Sequence, residues 1–134
     1  MKYLAVVIVS LTIMCSAVAQ VAYTPDTENV TGFNLKNIPK AIPLDRKHII
    51  VADTVAKRSR GIRAYKQNQQ VLFVFSKEDT MCMWNRGVPH TVTVVFFDSM
   101  WNETSRADMK PNSTRPTCSA APGRFALEYF TKGK

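Results

Sequence analysis

Apolar positions in this chain fall in short runs separated by polar and turn-forming residues, a spacing that predicts strands rather than long helices. His48 to Ala52 (HIIVA) is β-branched and apolar and reads as a strand. Asp53 or Thr54 is placed to cap a helix, Val55 to Arg60 can make about two turns, and Gly61 stops it. Ala64 to Gln70 is polar and reads as a loop. Val71 to Phe75 (VLFVF) is continuously apolar, as in a strand buried on both faces. Met81 to Trp84 predicts a second short strand and Asn85-Arg86-Gly87 a turn. Thr91 to Phe97 (TVTVVFF) begins by alternating and ends wholly apolar, which suits a central strand. Asp98 to Asn102 turns the chain, and Glu103 to Met109 can pair back as a hairpin partner. Pro111 to Pro122 reads as a long loop, and Arg124 to Phe130 (RFALEYF) supplies the last strand.

Residues 20–47 have little periodicity and contain Pro25, Pro39 and Pro43. They read as an N-terminal arm that lies across the domain or stays mobile, with Val30 to Leu35 as a short edge strand. The pattern predicts a mainly β fold: a compact single-domain sandwich or partly closed barrel with one short helix, over residues 48–134. No βαβ rhythm is visible, so a nucleotide-binding parallel sheet is not expected.

The longest apolar run is of another kind. Residues 1–20 read MKYLAVVIVSLTIMCSAVAQ, with one early Lys, an apolar stretch from Leu4 to Cys15 and a small-residue close at Ala17-Val18-Ala19. That order predicts a signal peptide over residues 1–19, cleaved after Ala19, and hence a periplasmic or secreted protein. The run is short for a membrane span, which needs about 20 apolar residues. An uncleaved anchor is the alternative. Met14 precedes Cys15 where a lipid-modified Cys needs a small residue. Cleavage would leave Cys82 and Cys118, and in an oxidising compartment two cysteines read as one disulfide, with two buried free thiols as the alternative. The bond would stabilise the fold by about 3–4 kcal/mol in the chain-entropy model.

Composition adds little to the fold and something to the surface. The 134 residues are 46% hydrophobic and 21% charged, which excludes a mostly disordered chain. Lys and Arg number 18 against 10 acidic residues, a formal net charge of +8. Three Cys are too few for a disulfide scaffold or a Cys-only zinc site. His48 and His90 are the only histidines, without the close spacing of a metal-binding pair, so no metal site and no cofactor are expected.

Several of these pieces recur together in a known family. Thr54-Val55-Ala56-Lys57-Arg58 leads into Arg60-Gly61-Ile62; Leu72 to Phe75 reads L-F-V-F; Met83-x-Asn85 precedes Val88-Pro89; Val95-Phe96-Phe97-Asp98 follows, and Arg124 to Glu128 closes with A-L-E. In order and spacing this resembles the domain-of-unknown-function-192 family, whose pattern runs T-x-A-E-R, R-G-L-M, L-F-x-F, W-M-K-N-T, I-P-L-D, F-L-D and A-L-E. The resemblance covers roughly Ile49 to Gly133. It implies a small, β-rich, frequently secreted domain and brings no agreed activity. The chain departs from the pattern at Cys82, Trp84 and Arg86, and His90-Thr91 stands where the family has Leu-Asp, so the acidic residue after the proline is missing.

Two features carry candidate chemistry. Lys57, Arg58, Arg60, Arg63 and Lys66 lie within ten residues and form an anion-attracting segment, or a solvated face whose Arg pair with Asp53 or Glu128. Met81 to His90 (MCMWNRGVPH) puts an aromatic, an amide, a cation and an imidazole around one turn, and Trp84, Asn85, Arg86 and His90 could line a polar ligand site. Met81, Met83 and His90 include soft donors suited to copper, though Met-x-Met beside a strand is more often core. The case for catalysis is thin. His90 with Glu128 or Asp98 could act as an acid/base pair, and no G-x-S-x-G nucleophile elbow is present. Asn29, Asn102 and Asn112 stand in N-x-S/T sequons and read as loop residues. The expectation is an exported binding or interaction module for anionic envelope polymer or another exported protein. Arg58, Arg60, Arg63, Trp84, Asn85, Arg86 and His90 form its contact surface. Nucleic acid is not an expected partner, nor is a stable membrane span after cleavage. An envelope-acting enzyme using His90 is the alternative.

Overall fold

The computed structural model describes residues 25–132; the segment read as a signal peptide, with Cys15 and Ala19, lies outside the described residues. The fold is mainly β. A mixed five-stranded sheet runs in the order β1-β2-β7-β4-β5, a two-stranded ribbon pairs β3 with β6, and no barrel closes. The strands are β1 Ile49–Ala52, β2 Gln70–Asp79, β3 Cys82–Met83, β4 Val92–Phe97, β5 Glu103–Met109, β6 Thr117–Cys118 and β7 Gly123–Phe130. The helix α1 spans Val55–Arg60, and single 3-10 turns lie at Leu35–Asn37 and Ile62–Ala64.

Three features differ from the sequence pattern. β1 and β2 pair in parallel, with Ile49 opposite Gln70 and Ala52 opposite Phe73, so β1-α1-β2 is a crossover unit. Its helix has six residues, too few to show a helical period. A further strand, Thr117–Cys118, lies inside the proline-rich loop because Cys118 sits directly opposite Cys82. Val30 to Leu35 forms no strand. Its one backbone bond to the β1 end is Val30 N–H to the Asp53 carbonyl at 2.7 Å, and Val30, Phe33 and Leu35 instead lay their side chains on the sheet.

The sheet is apolar on both faces. Alternation places Val71, Phe73, Phe75, Val92, Val94, Phe96 and Ala126 on one face, covered by Ile62, Met81, Met83, Val88 and Met109. Leu72, Val74, Val95, Phe97, Phe125 and Leu127 occupy the other. The arm covers that second face with Phe33, Leu35, Ile38, Ile42 and Leu44. Arg46 fixes the arm by donating to the carbonyls of Leu35 (2.9 Å) and Ile38 (3.1 Å). Trp101, in the β4–β5 turn, stacks flat on Phe125 with ring centroids 3.9 Å apart. Gly123 is required by close approach: a Cβ there would lie 2.8 Å from the Phe97 carbonyl oxygen and against the Met81 methyl.

Two cross-links organise the segment between β3 and β7. Cys82 and Cys118 form a disulfide, with their Cα atoms 4.0 Å apart. Asn85 is fully buried, and its amide donates to the carbonyls of His90 (2.9 Å), Met109 (3.3 Å) and Lys110 (2.8 Å). It thereby ties the turn after β3 to the end of β5. The Asn85→Ala variant should lose about 2–4 kcal/mol of unfolding free energy, because three largely buried carbonyls lose their donor. The Cys82→Ser/Cys118→Ser variant should lose about 3–4 kcal/mol. Urea denaturation with matched slopes checks both, and mass spectrometry without reduction should find no free thiol.

Candidate functional site

The helix is short, and its position is set by its caps. Thr54 Oγ1 accepts from Lys57 N–H (3.3 Å), and Asn29 Oδ1, from the arm, accepts from Val55 N–H (2.9 Å). Gly61, at φ 59°, ends the helix, with its N–H on the Arg58 carbonyl at 3.2 Å. That positive φ turns the chain inward, so Ile62 enters the core at 2% exposure. The Ile62 backbone N–H then meets the carboxyl of Glu128.

Arg58 points inward, with its side chain 7% exposed. Its place follows from a backbone need. Beyond Val74 the β2–β7 register breaks until Asp79, leaving residues 75–78 outside the ladder. Arg58 Nη1 donates to the Val74 carbonyl (2.9 Å), Arg124 Nε to the Phe75 carbonyl (3.2 Å), and the Asp26 carboxylate accepts from Ser76 N–H (2.6 Å). Arg58 Nη2 also holds the arm through the carbonyls of Asp26 (3.2 Å) and Glu28 (2.5 Å), and its guanidinium lies 5.4 Å from the Phe75 ring centre. Burial would raise the Asp26 pKa. The N–H groups of Ser76 and Glu28, the Ser76 hydroxyl and Arg58 outweigh it, and the carboxyl is held below its ordinary value.

Between α1, the β3–β6 ribbon and the sheet lies a cavity of about 570 Å³. Its floor is Phe73, Phe75 and Glu128; Met83, Val88 and Ile62 form apolar walls. The exposed Arg60, Arg63, Arg86 and Trp84 lie along its rim, and Asp26 of the arm also lines it. Arg63 Nε donates to the Arg60 carbonyl at 3.1 Å. Neither Arg60 nor Arg86 has a carboxylate partner among the described residues. Trp84 is 45% exposed.

Glu128 is the anomaly of the floor. On β7 it stands between Val71 of β2 and Val94 of β4, in the middle of an apolar sheet face, at 2% exposure. Burial pushes its pKa up to about 8, against the Ile62 N–H, which favours the charged form. At neutral pH it is a carboxylic acid that holds its proton.

The structure therefore brings together Arg58, Arg60, Arg63, Trp84, Arg86 and Glu128 around one cavity. It does not bring the remaining candidates there. Asn85 is a buried cross-link whose amide is occupied by carbonyls. His90 is exposed, with Nε2 on Gln67 Nε2 at 2.6 Å and its ring edge-on to Phe130. No hydrogen bond or ion pair joins His90 to Glu128 or Asp98 among the described residues. Asp98 builds the β4–β5 turn. The Asn102 side-chain amide chiefly holds its carboxyl below the usual range, helped by the N–H groups of Asn102 and Met100. The acid/base pairing of His90 with Glu128 or Asp98, the alternative offered by the sequence, is not among the contacts of the described residues. Lys57 takes Asp53 at 2.8 Å, and Arg58 takes the arm, so Arg58 serves the wall of the cavity. Met81 and Met83 belong to the core. Sequence reasoning missed Phe73, Phe75 and Met83 as lining. The alternation that puts residues 71, 73 and 75 on one face was a usable signal for the first two. Nothing in the sequence pointed to Asp26.

Comparison with known proteins agrees with this architecture. The model of the DUF192 family, described as Uncharacterized ACR, matches residues 36–132. A crystal structure of a protein of unknown function from Novosphingobium aromaticivorans is similar at TM-score 0.55 and 20% identity, over 61% of this chain and 61% of that one. This chain therefore spans about three fifths of the length of that protein. A Sinorhizobium meliloti protein proposed to be a transcription regulator is similar at TM-score 0.56 and 20% identity, over 62% of this chain and 67% of that one. At these identities the likeness concerns the fold alone. No curated protein matches the chain. Among the described residues no helix is long and apolar enough to cross a membrane, and the disulfide suits an oxidising compartment.

The Glu128 proton has a consequence for stability. Between the ordinary carboxyl pKa and about 8, the folded chain keeps a proton that the unfolded chain has released. Stability therefore falls as pH rises through that window, by a few kcal/mol in all. Glu128→Gln should flatten the decline and be the more stable protein at pH about 8.5. Urea denaturation of both proteins across the window measures the difference; parallel pH profiles would contradict the buried-acid assignment.

Proposed function

The chain belongs to the DUF192 family, and from that premise we propose that it is an exported binding module which receives an anionic group of envelope material in the cavity beside α1. The observation that carries the reading is the convergence of Arg60, Arg63 and Arg86, from two separated segments, on the rim of one apolar-floored cavity. The cavity has the size of a small-molecule cleft, about 300–1,000 Å³ in general. Arginine suits the task because its guanidinium grips carboxylate or phosphate through two parallel N–H groups. Export through residues 1–19, with cleavage after Ala19, is part of the proposal and fits the disulfide.

Octyl phosphate and octanoate are suitable probes, with octanol as the uncharged control. Calorimetric titration should show binding of the two anions and not of octanol. Affinity should fall about tenfold between about 0.1 M and 1 M salt, as the Debye length contracts from about 10 to about 3 Å. Arg60→Ala/Arg63→Ala/Arg86→Ala should weaken binding by a further tenfold or so at low salt, while its urea midpoint stays near that of the parent. Equal affinity for octanol, or an unchanged Kd in the triple variant, would remove the proposal.

A further inference from the structure

The floor of the cavity asks more of a ligand than a negative charge does. Phe73, Phe75, Met83, Val88 and Ile62 are all at most 9% exposed and present carbon to the space. An anion held only at the arginine rim would leave that apolar space filled with water. At its base stands one polar group, the Glu128 carboxyl, whose only polar partner among the described residues is the Ile62 backbone N–H. A neutral carboxyl has an O–H to donate and further lone pairs with which to accept. At 2% exposure beside one N–H, and lining the cavity, the carboxyl has donor and acceptor capacity that a group on a ligand can use.

We propose that the cavity is built for an amphipathic organic anion bound head-out: its charged head at Arg60, Arg63 and Arg86, its apolar body over Phe73 and Phe75, and an uncharged hydroxyl or carbonyl oxygen at its inner end hydrogen-bonded to the Glu128 carboxyl. The inference rests on the reading of the cavity as an anion site and adds what the inner half selects. A cationic ligand is disfavoured, because four arginines line the cavity together with Glu128, the one buried carboxyl among the described residues. A fully ionised inner group is disfavoured by the same burial that keeps Glu128 protonated. The other charged groups that share the cavity are Arg58 and Asp26, and they are engaged with each other and with the backbone. That leaves Glu128 as the group able to read the inner end.

The test compares 3-(4-hydroxyphenyl)propionate with 3-(4-methylphenyl)propionate, which differ by hydroxyl against methyl at the inner tip. Titration calorimetry of the wild-type protein at pH about 6.5 should find the hydroxyl compound tighter by about tenfold, since a site with a buried polar partner penalises the isostere that leaves it unpaired. In Glu128→Met the order should reverse. Wild-type protein that prefers the methyl compound overturns the inference, and so does the same ratio in Glu128→Met. If both compounds then still bind with steep salt dependence, the anion site stands and only the inner selection fails. If neither compound binds while octanoate does, the inference fails and the anion site stands; if octanoate does not bind either, both readings fall. The wild-type comparison decides by itself should Glu128→Met not fold.

Discussion

β2, β7 and β4 lie side by side with apolar side chains on both faces, so water has to be excluded from both sides of the sheet centre. The rest of the molecule follows from that requirement. The described residues offer no second large sheet, only a two-stranded ribbon. One face is closed by an arm of little regular structure, lying flat with Phe33, Leu35, Ile38 and Ile42 against Val74, Val95 and Leu127. The other is closed by Ile62, the methionines of the β3 region and Val88. The arm must be held down where it offers no ladder of its own, and Arg46 and Arg58 do this by gripping its carbonyls. Where β2 leaves its neighbours, Arg58, Arg124 and Asp26 satisfy the freed backbone groups. Much of the positive charge near the helix is therefore structural.

The cavity is the place where the second cover falls short. Small Ala126 sits between Phe73 and Phe96, and Glu128 sits between Val71 and Val94. A six-residue helix and a two-residue ribbon cannot seal the span between them. The same departure from the apolar pattern that opens the space supplies the carboxyl at its base. Stability and site chemistry meet in Glu128: a proton that must be kept for the fold is also a hydrogen-bond donor at the base of the cavity.

The strand order along the chain was legible because alternation and continuous apolar runs are local signals. The core of every strand from His48 to Phe75 and from Thr91 to Phe130 stands in the residues themselves. The helix and its stop were legible from Thr54 and Gly61. The cation segment was legible as charge and misread in part as surface, because burial of Arg58 depends on carbonyls supplied by Val74 and by Asp26 and Glu28 on the arm. His90 drew attention as the one imidazole near a turn. Its ring lies on Gln67 and Phe130, neighbours set by the fold and invisible in the local sequence.

Family membership, the mainly β character and the order of strands were determined by sequence alone, since each rests on residue types at short spacings. The Cys82–Cys118 pairing was also readable, because two cysteines remain once the predicted signal peptide is set aside, and two have one way to pair. The parallel β1–β2 pair, the closure of one face by the arm, and the meeting of Arg60, Arg86 and Glu128 around one space were decided only in three dimensions. Each depends on contacts between segments far apart in the chain, which no local pattern of apolar and polar residues encodes.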